Sequence, residues 1–175
     1  VHNYYERSVY MFLVIAYYTG MRKGEIHALR WSDLCDGTIR VRRSISQKVK
    51  GKSAVETAPK NKASVRTLQI PIPLQTLLDQ YIILQKSEFL ENWSPDFKVI
   101  YGPRCISDTG LSNFNKAWAK AAGLEPIRIH DYRHSHASLL ANEGINIQEI
   151  ARRLGHADVK ITWQTYAHLY PREEE

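Results

Sequence analysis

Apolar residues recur at helical spacing over most of this 175-residue chain and give way to alternation in one stretch only, residues 38–70. That pattern restricts the fold to a mainly α-helical α+β domain with a small three-stranded antiparallel sheet in its N-terminal third. Residues 4–18 read YYERSVYMFLVIAYY, with apolar side chains at 9, 12, 13, 16 and 17, and predict a mostly buried helix ended by Thr19-Gly20. Gly24 to Leu34 is expected as a second helix with Ile26, Leu29 and Trp31 inward. After Gly37, Ile39 and Val41 alternate with basic residues in TIRVRRSIS, as in a half-buried strand. Residues 46–57 continue around Gly51 as a hairpin with a basic tip, and Val65, Leu68 and Ile70 form a third strand before Pro71. Pro73 opens a helix to about residue 90, with Leu74, Leu77, Leu78, Tyr81 and Leu84 on one face. Lys98 to Tyr101 is expected to be extended. Further helices are expected from Ser112 to Ala122, from His130 to Asn142, from an Asn146 cap to Gly155, and from an Asp158 cap to about residue 168.

Length and composition fit one domain. A chain of this size buries roughly 70% of the surface its unfolded form exposes, so it needs neither metal nor disulfide to fold. Hydrophobic residues at 43% and charged residues at 24% exclude global disorder. Cys35 and Cys105 are too few for a disulfide framework and point to a reducing compartment. No apolar run approaches the ~18 residues needed to span a bilayer, and the N-terminus lacks a secretory layout. The chain begins at Val1 in mid-pattern, as a fragment of something longer would.

The net charge of +6 is unevenly placed. Residues 38–68 hold nine of the 24 bases (Arg40, Arg42, Arg43, Lys48, Lys50, Lys52, Lys60, Lys62 and Arg66) and one of the 18 acids, Glu56. The remainder holds 15 bases and 17 acids, so the whole positive excess sits in one stretch. A concentrated basic surface is the electrostatic footprint of a polyanion partner, although on charge alone a solvated basic loop fits equally well.

Four stretches carry the chemistry: TGMRKGEI at 19–26, PKNKASVRTLQIP at 59–71, HDYRHSH at 130–136 and LGHADVKITWQTYAHLYP at 154–171. In this order and spacing they resemble the catalytic domain of the tyrosine recombinases, the phage integrase family, from Tyr4 to Pro171. The last stretch is similar to integrases of phages and conjugative transposons. The resemblance implies a metal-independent, ATP-independent enzyme without cofactor that cuts and rejoins double-stranded DNA. A tyrosine attacks a scissile phosphate, forms a 3′-phosphotyrosyl link and releases a 5′-hydroxyl; a second 5′-hydroxyl reverses the step. It further implies assembly with other protomers as a tetramer on DNA, no membrane association, and a cytoplasmic location in a bacterial or phage-infected cell. The whole chain, 1–175, is expected to be the catalytic domain, with the family's core-binding and arm-binding domains absent from it.

Family matching assigns roles residue by residue. Arg22, beside a helix start, becomes the first phosphate clamp, since a guanidinium offers planar donors to two phosphate oxygens. Standing alone it reads as a surface arginine. Glu25 is one turn on and suited to orient a basic neighbour, or to face the helix N-terminus. Arg133 becomes the second clamp, and His130, at i−3 on the same helix face, assists proton movement or binds phosphate. His130 and His134 also stand at i and i+4, a possible metal pair, but no carboxylate or cysteine lies at ligand spacing. His156, after Leu154-Gly155, becomes a phosphate ligand and proton acceptor, an imidazole able to hold either role near neutrality. Tyr166 becomes the nucleophile, its phenolate favoured by nearby cations. Its ten-residue distance from His156 is one longer than the commonest family pattern, and Tyr170 is the alternative. Lys60 becomes the general acid to the leaving 5′-oxygen, with Lys62 as its rival. Arg40, Arg42, Arg43, Lys48, Lys50, Lys52 and Lys62 are assigned to DNA backbone contact. Five or six such contacts predict a log–log salt slope of about −4.5 to −5.4. A relaxing type IB-like topoisomerase and a non-catalytic helix-turn-helix module are the competing readings.

Overall fold

The computed structural model describes residues 3–46, 55–59 and 61–170. The first helix, α1 (Tyr4–Thr19), begins where the Asn3 side chain accepts the Glu6 amide at 2.9 Å and ends at Gly20. Gly20 takes φ 64°, the left-handed region where glycine carries no Cβ penalty. A Cβ there would also lie 2.6 Å from the His136 ring.

Helix α2 (Lys23–Ala28) is shorter than its sequence suggests. Ile26, Leu29 and Trp31 are buried as expected, but the chain leaves the helix at Leu29 and makes only a 3-10 turn at Trp31–Asp33. The cause is tertiary: the Leu29 carbonyl accepts the Val99 amide at 2.8 Å, and Arg30 bridges to Lys98. Lys98 to Tyr101 is correspondingly a turn rather than an extended strand, with Tyr101 at φ 65°.

The strands are β1 (Leu34–Cys35), β2 (Thr38–Val41), β3 (Ser44–Ser46), β4 (Val55–Thr57) and β5 (Arg66–Gln69). An antiparallel three-stranded sheet runs in the order β1-β2-β5, with Ile39 opposite Leu68 and Val41 opposite Arg66. The sheet is three-stranded as expected, but its members differ. The strand expected over residues 38–46 breaks after Val41, and β3 pairs with β4 as a separate ribbon. At the break, Arg42 Nε bonds the nearly fully buried Asp33 carboxylate at 2.8 Å, and Arg43 bonds its other oxygen.

Helix α3 (Ile72–Phe89) carries Pro73 in its first turn and buries Leu74, Leu78 and Tyr81. Helix α4 (Asp108–Ala121) starts earlier than expected, because Ser107 rather than Ser112 caps it, accepting the Gly110 amide at 3.0 Å. Helices α5 (Asp131–Asn142), α6 (Ile147–Leu154) and α7 (Val159–Tyr166) follow, α6 and α7 capped by Asn146 and Asp158 as predicted.

Two apolar clusters result. The larger joins α1, α2, the sheet and α3 around Phe12, Ile15, Ile39, Leu68 and Leu78. The smaller joins α5, α6 and α7 through Ala137, Ala141, Ile150, Leu154 and Tyr166. No described helix is long and apolar enough to cross a membrane.

Candidate active site

The site forms where three helix ends meet. Arg133 lies in the first turn of α5 and is almost fully buried. Its Nη1 donates to the Gly20 carbonyl at 2.7 Å and its Nη2 to the Leu154 carbonyl at 2.6 Å. These are carbonyls at the C-terminal ends of α1 and α6, which lack intrahelical donors and carry the negative end of the helix dipole. The fold thus holds a buried guanidinium by satisfying it with two helix ends. Burial and then neighbouring Arg22 push Arg133 down to about 9, so it remains a cation at neutral pH.

Arg133 Nη2 also lies 3.2 Å from His156 Nε2. A guanidinium only donates, so Nε2 accepts and the ring proton is on Nδ1, which meets the buried Thr162 hydroxyl at 2.7 Å. Burial, Arg133, Arg22 and Arg66 together lower His156 to about 4. The expectation of an imidazole poised near neutrality is therefore corrected: His156 is uncharged at pH 7. His130, at the N-terminus of α5, is likewise lowered by burial, His134 and Arg133.

A buried carboxylate joins Arg22 to Arg66 beside Arg133. Glu25 is buried, its amide-facing oxygen taking the Arg22 N–H at 2.8 Å. Arg66 Nη1 and Nη2 each donate to its carboxylate at 3.0 Å, and Arg22 Nη1 does so at 3.1 Å. Burial opposes the ionised form, but the Arg66 bonds and charge outweigh it, so Glu25 is held below the ordinary carboxylate range. Arg66 continues to the Arg153 and Ser64 carbonyls. Gly155, at φ 70°, lets this happen, since a Cβ there would stand 2.9 Å from Arg66 Nη1. In the sequence Arg66 is one more base of the charged stretch; its partner lies 41 residues away, which no local pattern reveals.

Tyr166 is the last residue of α7, with its ring buried in the smaller cluster. Its hydroxyl is 2.7 Å from His134 Nδ1. Burial raises the phenol above its ordinary value, and Arg133 only partly offsets this. The expected net bias toward phenolate is thus reversed here, because desolvation exceeds the cationic attraction. The hydroxyl of the alternative, Tyr170, donates to the Ile145 carbonyl at 2.6 Å.

A cleft of about 730 Å³ opens beside these groups, lined by Arg22, Arg43, Pro59, Asn61 and His130 among others. Arg22, His130, Arg133, His156 and Tyr166 lie on α2, α5 and α7 and their flanking turns, close enough to be linked electrostatically through Arg133. Lys60, Lys48, Lys50 and Lys52 lie outside the described residues. Arg40 and Lys62 are exposed, whereas Arg42 and Arg43 are engaged with Asp33. Among the described residues, no group of three or more His, Cys, Asp or Glu is placed to hold a metal ion.

The chain is similar in sequence and in fold to known proteins. The integrase of ICEBs1 from Bacillus subtilis (strain 168) is 33% identical over 177 residues, covering 94% of this chain and 46% of that protein. A XerC-like tyrosine recombinase of Caldanaerobacter subterraneus subsp. tengcongensis is 29% identical, covering 92% of this chain and 46% of that protein. The chain thus spans about half the length of these curated relatives. The fold matches the Tn1549 transposon integrase, solved in complex with transposon right end DNA, with a TM-score of 0.72 at 22% identity, over 91% of this chain and 54% of that one. It also matches the XerA recombinase, with a TM-score of 0.66 at 21% identity, over 99% of this chain and 58% of that one. The description "Phage integrase family" matches residues 3–173, and with the relatives above it establishes that this chain belongs to the phage integrase family.

Proposed function

We propose that this chain is the catalytic domain of a site-specific DNA recombinase, most simply the integrase of a mobile element. The observation that carries the proposal is the Arg133–His156 contact at 3.2 Å, electrostatically coupled to Arg22, with Tyr166 on the next helix. In this reading Arg22 and Arg133 bind the non-bridging oxygens of the scissile phosphate. Fixed donors of this kind contribute about 3–4 kcal/mol each to a transition state in which oxyanion charge grows. Tyr166 Oη forms the bond to phosphorus as the bond to the 5′-oxygen breaks. Lys60 gives that oxygen its proton, and His156, whose Nε2 accepts from Arg133, helps hold that guanidinium in place. The bond energy stays in the phosphotyrosyl link, which a second 5′-hydroxyl reverses.

Support comes from the relatives as well. The Tn1549 integrase was solved in complex with transposon right end DNA, and the relatives are an integrase and a XerC-like tyrosine recombinase. Double-stranded DNA is the partner, other protomers join on it, and the site of action is the bacterial cytoplasm. A nicked suicide substrate containing the cognate site tests this. Wild type is expected to accumulate a covalent adduct that resists denaturation, and Tyr166→Phe to lose it while still retarding DNA. An adduct that persists in Tyr166→Phe refutes the assignment of the nucleophile.

A further inference from the structure

The proposed chemistry leaves one proton unassigned, that of the attacking phenol. Both ring nitrogens of His156 are engaged, Nε2 by Arg133 and Nδ1 by Thr162. His130 meets His134 edge to face, with ring centroids 5.0 Å apart, and no contact joins it to Tyr166. One imidazole nitrogen does touch the phenol oxygen: His134 Nδ1, at 2.7 Å, across 32 residues of sequence. His134 is exposed while the Tyr166 ring is buried, so this nitrogen can exchange a proton with water.

We propose that His134 is a further catalytic residue, the base that takes the Tyr166 proton during attack on phosphorus. The inference rests on the phosphoryl-transfer reading above. In the step, the Tyr166 Oη–H bond breaks and its proton moves to His134 Nδ1, giving an imidazolium with Nε2–H already in place. The Oη–P bond forms as the P–O5′ bond breaks, and a different group protonates the leaving oxygen. Charge and protons balance without any co-reactant. The geometry suits the task, since a general base needs a heavy-atom distance of about 2.6–3.2 Å to the proton donor. Burial, which raises Tyr166, makes such a base necessary: little phenolate forms unaided. The titratable groups that sense His134 from around it are Tyr166 on α7, His156 after α6, and His130 and Asp131 at the start of α5.

Three variants of the chain, His134→Ala, His134→Asn and Lys60→Ala, test this on two substrates with the same site. One carries the ordinary 5′-oxygen leaving group; the other carries a bridging 5′-sulfur, which leaves without protonation. Asn places a hydrogen-bonding atom near the Nδ1 position but cannot accept a proton. Both His134 variants are expected to slow adduct formation by about 10²–10⁴-fold on either substrate, with DNA retention unchanged, as for loss of a general base. Their residual rate should keep rising with pH where wild type levels off. Lys60→Ala should be rescued by sulfur, and the His134 variants should not. Full activity of His134→Asn with the wild-type pH profile would overturn the proposal and leave His134 a positioning contact. Nitrogen NMR of the DNA-free chain gives an independent reading: the Nε2–H tautomer with bare Nδ1 is expected, and an Nδ1–H tautomer contradicts it. Absence of any adduct from wild type would instead sink the phosphoryl-transfer reading itself.

Discussion

Replacing Glu25 by Gln keeps the shape of the side chain and removes its charge, and the structure sets the expected cost. The Glu25 and Arg66 side chains are 5% and 3% exposed and share two 3.0 Å bonds. Removing one partner of a buried pair costs about 3–5 kcal/mol, because the other charge is left uncompensated. The Arg22 contact, with Arg22 at 40% exposure, adds little. Gln retains one acceptor oxygen, so the lower end applies, about 3 kcal/mol. With a urea dependence near 2 kcal/mol per molar, the unfolding midpoint should fall by about 1.5 M at pH 7. The sign with pH follows from the lowered carboxyl: its stabilisation is complete above the unfolded value near 4.3 and fades as pH falls through the folded one. Wild type and Glu25→Gln should therefore converge on acidification. A loss below about 1 kcal/mol at pH 7, or a gap that persists unchanged at pH 3, would refute this account of how Arg22 and Arg66 are held.

Other perturbations have equally definite outcomes. His27 and His136 are buried and lowered to about 4, so both stay neutral in the fold while the unfolded chain protonates them near 6.5. Stability should be full above pH 6.5 and fall between 6.5 and 4, with a slope approaching about 2.7 kcal/mol per pH unit from the pair; a flat urea midpoint between pH 7 and 5 contradicts this. Thr162→Val removes the partner of His156 Nδ1 and should cost about 1–3 kcal/mol and slow cleavage, with Thr162→Ser restoring both. Arg40→Ala should reduce the salt slope of DNA binding by about 0.9 with stability unchanged. Arg43→Ala, which strips a bond from buried Asp33, should instead lower the unfolding midpoint.

Legibility in the sequence followed the range of the interactions. The Asn146 and Asp158 caps, the Gly20 and Gly155 stops and the Pro73 start are written within a few residues, and the fold uses them as read. The ends of α2 and β2 are not, because each is set by a distant partner: Val99 draws Leu29 out of the helix, and Asp33 turns Arg42 and Arg43 away from the strand. The start of α4 was local but hidden, since Thr109-Gly110 resembles a turn and yet Ser107 caps a helix through it. At the site, Arg22, His130, Arg133, His156 and Tyr166 are what the family resemblance implies, not what any local pattern dictates. Burial, which depends on the packed helices rather than on the motif, lowers His156 and raises Tyr166. His134 has only its i+4 spacing from His130 to mark it in the sequence. Its contact with Tyr166 exists solely because α5 and α7 pack against α6.

If the Tyr166 oxygen bonds to phosphorus, a trapped adduct carries its DNA on that residue, and mass spectrometry of the adduct reads this. Trypsin cleavage after Lys160 and Arg172 releases residues 161–172, which hold both Tyr166 and Tyr170, so fragmentation within that peptide separates the two. The nucleotide mass is expected on Tyr166 alone. A nucleotide on Tyr170, or on a peptide from elsewhere in the chain, would contradict it.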